Sequence, residues 1–189
     1  VGARGARTLR IASPFDYGSQ ARILLPPGLP DPADRGHPAA VVAEALPFIE
    51  AAGGRTFLLF TSHRALAEAA RTLRARPGIV ERYSLLVQGE IPREQLLTRF
   101  RATPRAVLLG TSSFWEGVDV RGDALAVVVI DKLPFAAPDD PLLKARLEAI
   151  RARGGNPFFE YQVPQAVLAL KQGFGRLIRA RGDFGVVVL

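Results

Sequence analysis

The chain reads as an α/β protein, a doubly wound and mainly parallel sheet with helices on both faces. Two observations predict this. Short apolar runs such as Thr56 to Thr61 (TFLLFT), Ala106 to Gly110 and Leu125 to Ile130 (LAVVVI) lack polar alternation, which marks strands buried on both faces. Segments with helical periodicity lie between them, the order expected of β–α units whose helices cover a sheet.

Each element follows in turn. Residues 1–40 are rich in proline, glycine and arginine. Within them Arg22 to Leu25 predicts a short edge strand, and Pro26 to Pro38 an irregular connection. Residues 1–36 are therefore expected to connect into a single lobe over 37–189. A helix is expected from His37 to Ala52, with Val41, Ala45, Leu46 and Ile49 on one face and Gly53-Gly54 ending it. The strand at 56–61 precedes an alanine-rich helix at 64–76. A strand at 84–88, a helix at 92–102 and strands at 106–110 and 125–130 follow. A small helical stretch over 136–163 contains a charged helix at 139–153. A long helix at 164–181 then leads to a last strand at 185–189 (GVVVL).

With 189 residues, 48% of them hydrophobic, the chain can bury one well-packed core. No apolar run approaches the roughly 18 residues that span a bilayer, so no membrane partner is expected. The absence of cysteine excludes disulfides and thiolate-ligated metal or iron–sulfur sites within these residues. The two histidines, His37 and His63, are far apart in sequence and suggest no metal site. Methionine is absent, position 1 included, and the chain stops inside a strand-like run, so a piece of a longer protein is expected. The net charge of +7, with 22 of 25 basic residues arginine, favours a polyanionic partner, nucleic acid above all. A GC-rich genome would produce the same arginine excess, so charge alone does not decide.

In doubly wound sheets ligands sit at the carboxyl ends of the strands, near a topological switch point. The polar residues there are candidates. After the strand at 106–110 comes Gly110-Thr111-Ser112-Ser113-Phe114-Trp115-Glu116-Gly117-Val118-Asp119-Val120-Arg121-Gly122. Hydroxyls directly after a strand can bond phosphate oxygens, and Trp115 can stack on a base or on a neighbouring domain. Gly117 allows a tight turn. Asp119 can accept from a ribose hydroxyl or an arginine. The first buried strand ends in Thr61-Ser62-His63 and the next in Gln88-Gly89-Glu90. Each edge alone is as well explained by capping; together they would line one groove.

Residues 172–179 (QGFGRLIR) lie within the predicted last helix. At 100° per residue Gln172, Arg176 and Arg179 fall within an arc of roughly 60°, a fork of donors suited to phosphate. Phe174, Leu177 and Ile178 would point the other way, extending an apolar stripe from Val167 and Leu170. Gly175, on the flank of the polar face, would let a large group approach. A solvated arginine face is the ordinary alternative, although glycines at 173 and 175 each cost a surface helix roughly 1 kcal/mol. No G-x-x-x-x-G-K-[ST] loop and no Asp-Glu box for Mg²⁺ occur, so phosphate-sensing arginines stand without the machinery that binds a nucleotide.

These motifs together resemble the second RecA-like (P-loop NTPase-type) lobe of the XPD/DinG-like superfamily 2 DNA helicases. Residues 110–122 resemble motif V, 172–179 motif VI and 57–66 (FLLFTSHRAL) motif IV. Ser13 to Asp16, Val129 to Phe135, Pro138 to Pro141, Asn156 to Phe158 and Pro164 to Ala166 also match the bacterial DinG-like pattern. The resemblance implies ATP bound between two lobes, with the nucleotide and Mg²⁺ held mainly by a first lobe outside this chain. Arg176 and Arg179 would be catalytic arginine fingers. Gln172 would sense the γ-phosphate, Glu116, Gly117 and Asp119 would belong with it to the nucleotide site, and Asp119 with Gly117 would couple nucleotide to DNA. Ser62, Gln88, Thr111, Ser112 and Trp115 would meet single-stranded DNA. The implied partners are single-stranded DNA and the first RecA-like lobe of the same polypeptide, in a cytoplasmic, nucleoid-associated protein active in repair or replication. The family's iron–sulfur cluster, where present, lies in the first lobe. Alone, the chain is expected to be inactive as an ATPase. A non-catalytic RecA-like module binding nucleic acid or a partner is the alternative, and an RNA-directed helicase a weaker one.

Overall fold

Six parallel strands form one sheet in the order β1-β6-β5-β2-β4-β3. The computed structural model describes residues 9, 11, 13, 15–111, 114, 120, 124–136, 140–175, 177–178 and 182–189. A short helix α1 (Tyr17–Gln20) leads into β1 (Ala21–Leu24), followed by α2 (His37–Ala51), β2 (Thr56–Phe60) and α3 (His63–Arg74). Next come α4 (Ile79–Arg82), β3 (Ser84–Val87), α5 (Arg93–Ala102), β4 (Ala106–Thr111) and β5 (Val127–Ile130). The chain closes with α6 (Pro141–Ala152), a π-helical turn (Phe158–Gln162), α7 (Val163–Phe174) and β6 (Gly185–Val188).

The continuous apolar runs behave as their composition requires. Every residue of β2, β4 and β5 is buried. Alternate side chains go to opposite faces. Leu58, Phe60, Val107, Leu109, Val127 and Val129 pack with Val41, Ala45 and Ile49 of α2 and Leu66, Ala69 and Leu73 of α3. Phe57, Leu59, Leu108, Val128 and Ile130 pack on the other face with Leu96 and Phe100 of α5 and with Leu177 and Ile178. At the edge, β1 pairs only with β6 and leaves Ile23 and Leu24 exposed.

The topology has a switch point. From β2 the chain runs through α3 on one face toward β3, whereas from β5 it runs through α6 and α7 toward β6. Ala169 and Leu170 of α7 pack against the core on the face opposite α3. The two connections thus diverge between the neighbouring strands β5 and β2, where a crevice opens at their carboxyl ends.

The last helix departs from the sequence expectation. It ends at Phe174 with Gly175 as its cap, rather than continuing to 181. Leu177 lies in a turn and Ile178 is outside any helix, yet both are buried, at 3% and 4% exposure. Gly185 opens β6 with no side chain because Leu177 occupies the space a Cβ would take. The helix buries Ala166 and Gly173, with Leu170 partly covered, whereas Val167 is 42% exposed and is not on the apolar stripe. A Cβ at Gly175 would lie 2.6 Å from the Lys171 carbonyl oxygen, so the helix's own backbone uses that gap.

Gly53 and Gly54 end α2 with φ of 62° and 89°. A Cβ on Gly54 would meet the Arg105 carbonyl carbon at 2.5 Å, where the chain enters β4 beside β2. Gly54→Ala is therefore expected to destabilise the fold by about 2 kcal/mol or more, through both the left-handed φ and the clash. A urea unfolding midpoint unchanged in this variant would contradict the contact.

Candidate nucleic-acid interface

Because the sheet is wholly parallel, the strand exits share one edge, and four neighbouring exits carry polar groups. Across β5, β2, β4 and β3 these are Asp131, then Thr61 with Ser62, then Thr111, then Gln88. They form two hydrogen-bonded pairs. The Gln88 side-chain oxygen accepts from the Thr111 amide at 2.6 Å and from its hydroxyl at 3.0 Å. The Asp131 carboxylate accepts from the Thr61 amide at 3.0 Å and from its hydroxyl at 3.3 Å.

Ser62 follows directly. Its side-chain oxygen accepts from the Ala65 amide at 3.2 Å, capping α3 as a serine in extended conformation does. The remaining first-turn amides and the positive end of the helix dipole face the crevice at the switch point. A cavity of about 270 Å³ opens there, lined by Ser62, Arg64 and Lys132 together with Arg35, His37 and Asp131. Arg71 also lines it, as do the carboxylates of Asp34 and Glu68, so four cations and a helix start meet three carboxylates, a mixed lining whose cations suit a phosphodiester backbone. A second cavity, about 490 Å³, opens at the opposite, amino edge beside Arg22, Arg55 and Phe184. It lies away from the strand exits.

Asp131 is the electrostatic exception of the edge. It is 4% exposed. Burial pushes its carboxyl up from 3.8 to about 6, against the lowering pull of Lys132, the Thr61 hydrogen bonds and His37. His37 is equally buried and reaches two backbone carbonyls, Pro30 through Nδ1 at 3.0 Å and Asp131 through Nε2 at 2.8 Å. Sequence reasoning placed Asp131 within a matching motif but gave it no role, and treated His37 only as an unpromising metal ligand. Their pairing joins residues 94 positions apart, which no local pattern reveals.

Beyond the edge, Arg93 at the start of α5 lies over the Phe114 ring at 5.4 Å. A Cβ at Gly110 would touch that ring at 3.0 Å, so glycine there lets Phe114 fold back onto the end of β4. This anchors the root of the loop that carries the motif V resemblance.

Residues 45–189 match the model of the Helicase C-terminal domain family. The chain belongs to that family. Among curated relatives it is 49% identical over its whole length to the ATP-dependent DNA helicase YoaA of Escherichia coli, covering 29% of that protein. It is 41% identical to the ATP-dependent helicase DinG of Mycobacterium tuberculosis, over 97% of the chain and 27% of the relative. A Bacillus subtilis relative, 38% identical over 97% of the chain and 20% of its own length, is named 3′-5′ exonuclease DinG. The chain thus spans less than a third of the curated relatives it matches. Among solved structures, the one titled XPD_Helicase superposes with a TM-score of 0.66 at 18% identity, over 89% of this chain and 31% of that one. That titled XPD_APO gives 0.61 at 23%, over 79% and 30%. The likeness establishes the RecA-like fold of this helicase C-terminal domain.

Of the sequence candidates, Ser62, Gln88 and Thr111 come together on one edge. Thr111, 6% exposed, supports Gln88 from below and is not itself presented to solvent. Gln172 is exposed on the last turn of α7. Ser112, Trp115, Glu116, Gly117, Asp119, Arg176 and Arg179 lie outside the described residues. The expected alignment of Gln172 with the two arginines therefore falls outside what the described residues show. Among the described residues no cluster of three or more histidine, aspartate or glutamate side chains is suited to a metal ion, and no helix is long and apolar enough to cross a membrane.

The raised Asp131 carboxyl carries a signed prediction. A folded-state value above the unfolded one gives stability that is fully present below 3.8 and lost as pH rises through about 6. Asp131→Asn has no such titration. Relative to the parent chain it should therefore gain about 2–3 kcal/mol between about pH 4 and pH 7.5, measured by urea unfolding. A difference independent of pH would show that the carboxylate is not desolvated.

Proposed function

We propose that this helicase C-terminal domain is the second motor lobe of an ATP-dependent DNA helicase, coupling ATP hydrolysis in a longer protein to movement along single-stranded DNA. The observation that carries the proposal is the row of polar strand exits on four adjacent strands, with the α3 start in its middle. It provides a backbone-tracking edge on a chain of net charge +7. The names of the YoaA and DinG relatives support both the nucleotide and the nucleic acid.

In this reading ATP and Mg²⁺ are held mainly by the first lobe, which contributes the phosphate loop and the acidic box that this sequence lacks. Hydrolysis of the terminal phosphoanhydride is the chemistry that ATP supplies. Arg176 and Arg179 donate to the γ-phosphoryl oxygens and stabilise the charge that spreads over them, and Gln172 senses their presence. Glu116, Gly117 and Asp119 relay that state to the DNA-facing loop. Ser62, Gln88 and Ser112 bond the strand's phosphates, Thr111 holds Gln88 in place, and Trp115 stacks on a base. Opening and closing of the two lobes moves the contacts along the strand.

Three outcomes test this. The isolated chain should show no ATPase above background with or without DNA, because the γ-phosphate has no loop to hold it. Turnover at a helicase-like rate would refute the half-site. In the parent protein Arg176→Ala should lower DNA-stimulated ATPase by about 10³-fold or more while single-strand binding stays within a few-fold. Gln88→Ala should do the reverse, weakening single-strand binding by roughly threefold to tenfold with saturated turnover retained. Equal binding by this variant and the parent would remove Gln88 from the interface.

A further inference from the structure

At the switch point, two buried ionisable side chains tie three separate segments together. The His37 ring opens α2 and sits between the Pro30 carbonyl and the Asp131 carbonyl. The two ring nitrogens thus bridge the carbonyls of two segments 101 residues apart, the connection before α2 and the exit of β5. The carboxylate of Asp131, directly after β5, in turn holds the amide and hydroxyl of Thr61. Thr61 is the residue before Ser62, which caps α3.

We infer that His37 and Asp131 are positioning residues for the nucleic-acid edge, a buried clamp that fixes Thr61 and Ser62 where a strand phosphate is met. The inference rests on the reading of that edge as DNA-binding. Three arguments carry it. The clamp acts on the switch-point crevice and not on the core around it. The Thr61 amide it holds sits at the exit of β2, where the ladder to β5 has ended at Leu59 and Ile130, so the carboxylate continues that pairing by one rung. A neutral or apolar residue would close the same space without burying a charge, which costs stability unless the charge is paired and useful.

The clamp is sensitive to the charges around it. Asp34 and Arg35 of the connection before α2, Arg64, Glu68 and Arg71 of α3, and Lys132 beside Asp131 all face the crevice. Glu68 and Arg71 form an ion pair with each other. Arg35, Arg64 and Lys132 are the cations placed beside an incoming phosphate, and Asp34 is the remaining carboxylate. Protonation of Asp131 weakens its hold on the Thr61 amide and hydroxyl.

The experiment uses the full protein that carries this lobe, with the variants Asp131→Asn and His37→Gln. Two readouts are taken. Hydrogen exchange of the segment spanning Thr61 and Ser62 should speed up by roughly tenfold in both variants, and in His37→Gln also over residues 30–37. In DNA-stimulated ATPase, KM for a single-stranded oligonucleotide should rise by roughly tenfold, with kcat at saturating DNA within twofold of the parent. For Asp131→Asn the KM ratio to the parent should shrink toward one below about pH 6, where the parent's own carboxylate is protonated. Unchanged exchange in both variants overturns the clamp itself. Altered exchange with unchanged KM, or a fall in kcat alone, overturns the positioning role and leaves a structural one. A parent protein whose ATPase ignores single-stranded DNA overturns the reading of the edge, and with it this inference.

Discussion

The architecture depends on β2 being buried on both faces while paired on both edges. Its five residues hydrogen-bond β4 on one side and β5 on the other, in parallel, and every one of them is buried. A strand so enclosed has no freedom of register, because a one-residue slip would exchange Phe57 and Leu59 with Leu58 and Phe60 between two differently shaped cores. Register in turn fixes which residues emerge at the carboxyl edge. Phe60 is level with Thr111 on one side, and Thr61, one residue on, meets the Asp131 carboxylate on the other because the ladders of β2 leave no alternative.

That edge carries a conflict between stability and use. Asp131 is held ionised in a place that disfavours the ionised form, and it is compensated by Thr61 and by His37. Gln88 is treated more gently, its oxygen satisfied by a backbone amide and a hydroxyl from the neighbouring strand. In both cases a side chain at one strand exit borrows a partner from the next strand. The exits are therefore coupled, and a displacement at one is felt at its neighbour.

The opposite end of the chain shows a different constraint. α7 stops at Gly175 so that Leu177 and Ile178 can reach the core before β6, and Gly185 makes room for Leu177. The segment resembling motif VI is thus held by two buried anchors with polar residues on either side of them. This chain spans less than a third of the length of these curated relatives.

The sequence by itself determined the fold class, the order of elements and the identity of the polar strand ends. Those properties are local: a short apolar run without alternation, rich in β-branched residues and bounded by turn residues, marks a doubly buried strand, and a hydroxyl after it emerges at the strand's end. It also carried the family resemblance, which rests on short motifs. Helix length near 174 was misread because Val167, Leu170, Leu177 and Ile178 keep a helical spacing although only some of them share a helix. Burial of Leu177 and Ile178 by a turn follows from where β6 lies, a distance the sequence does not state. The pairings of Gln88 with Thr111 and of Asp131 with Thr61 and His37 were decided by tertiary structure alone. They join residues far apart in the chain, and only the strand order β5-β2-β4-β3 brings their backbones within hydrogen-bonding reach.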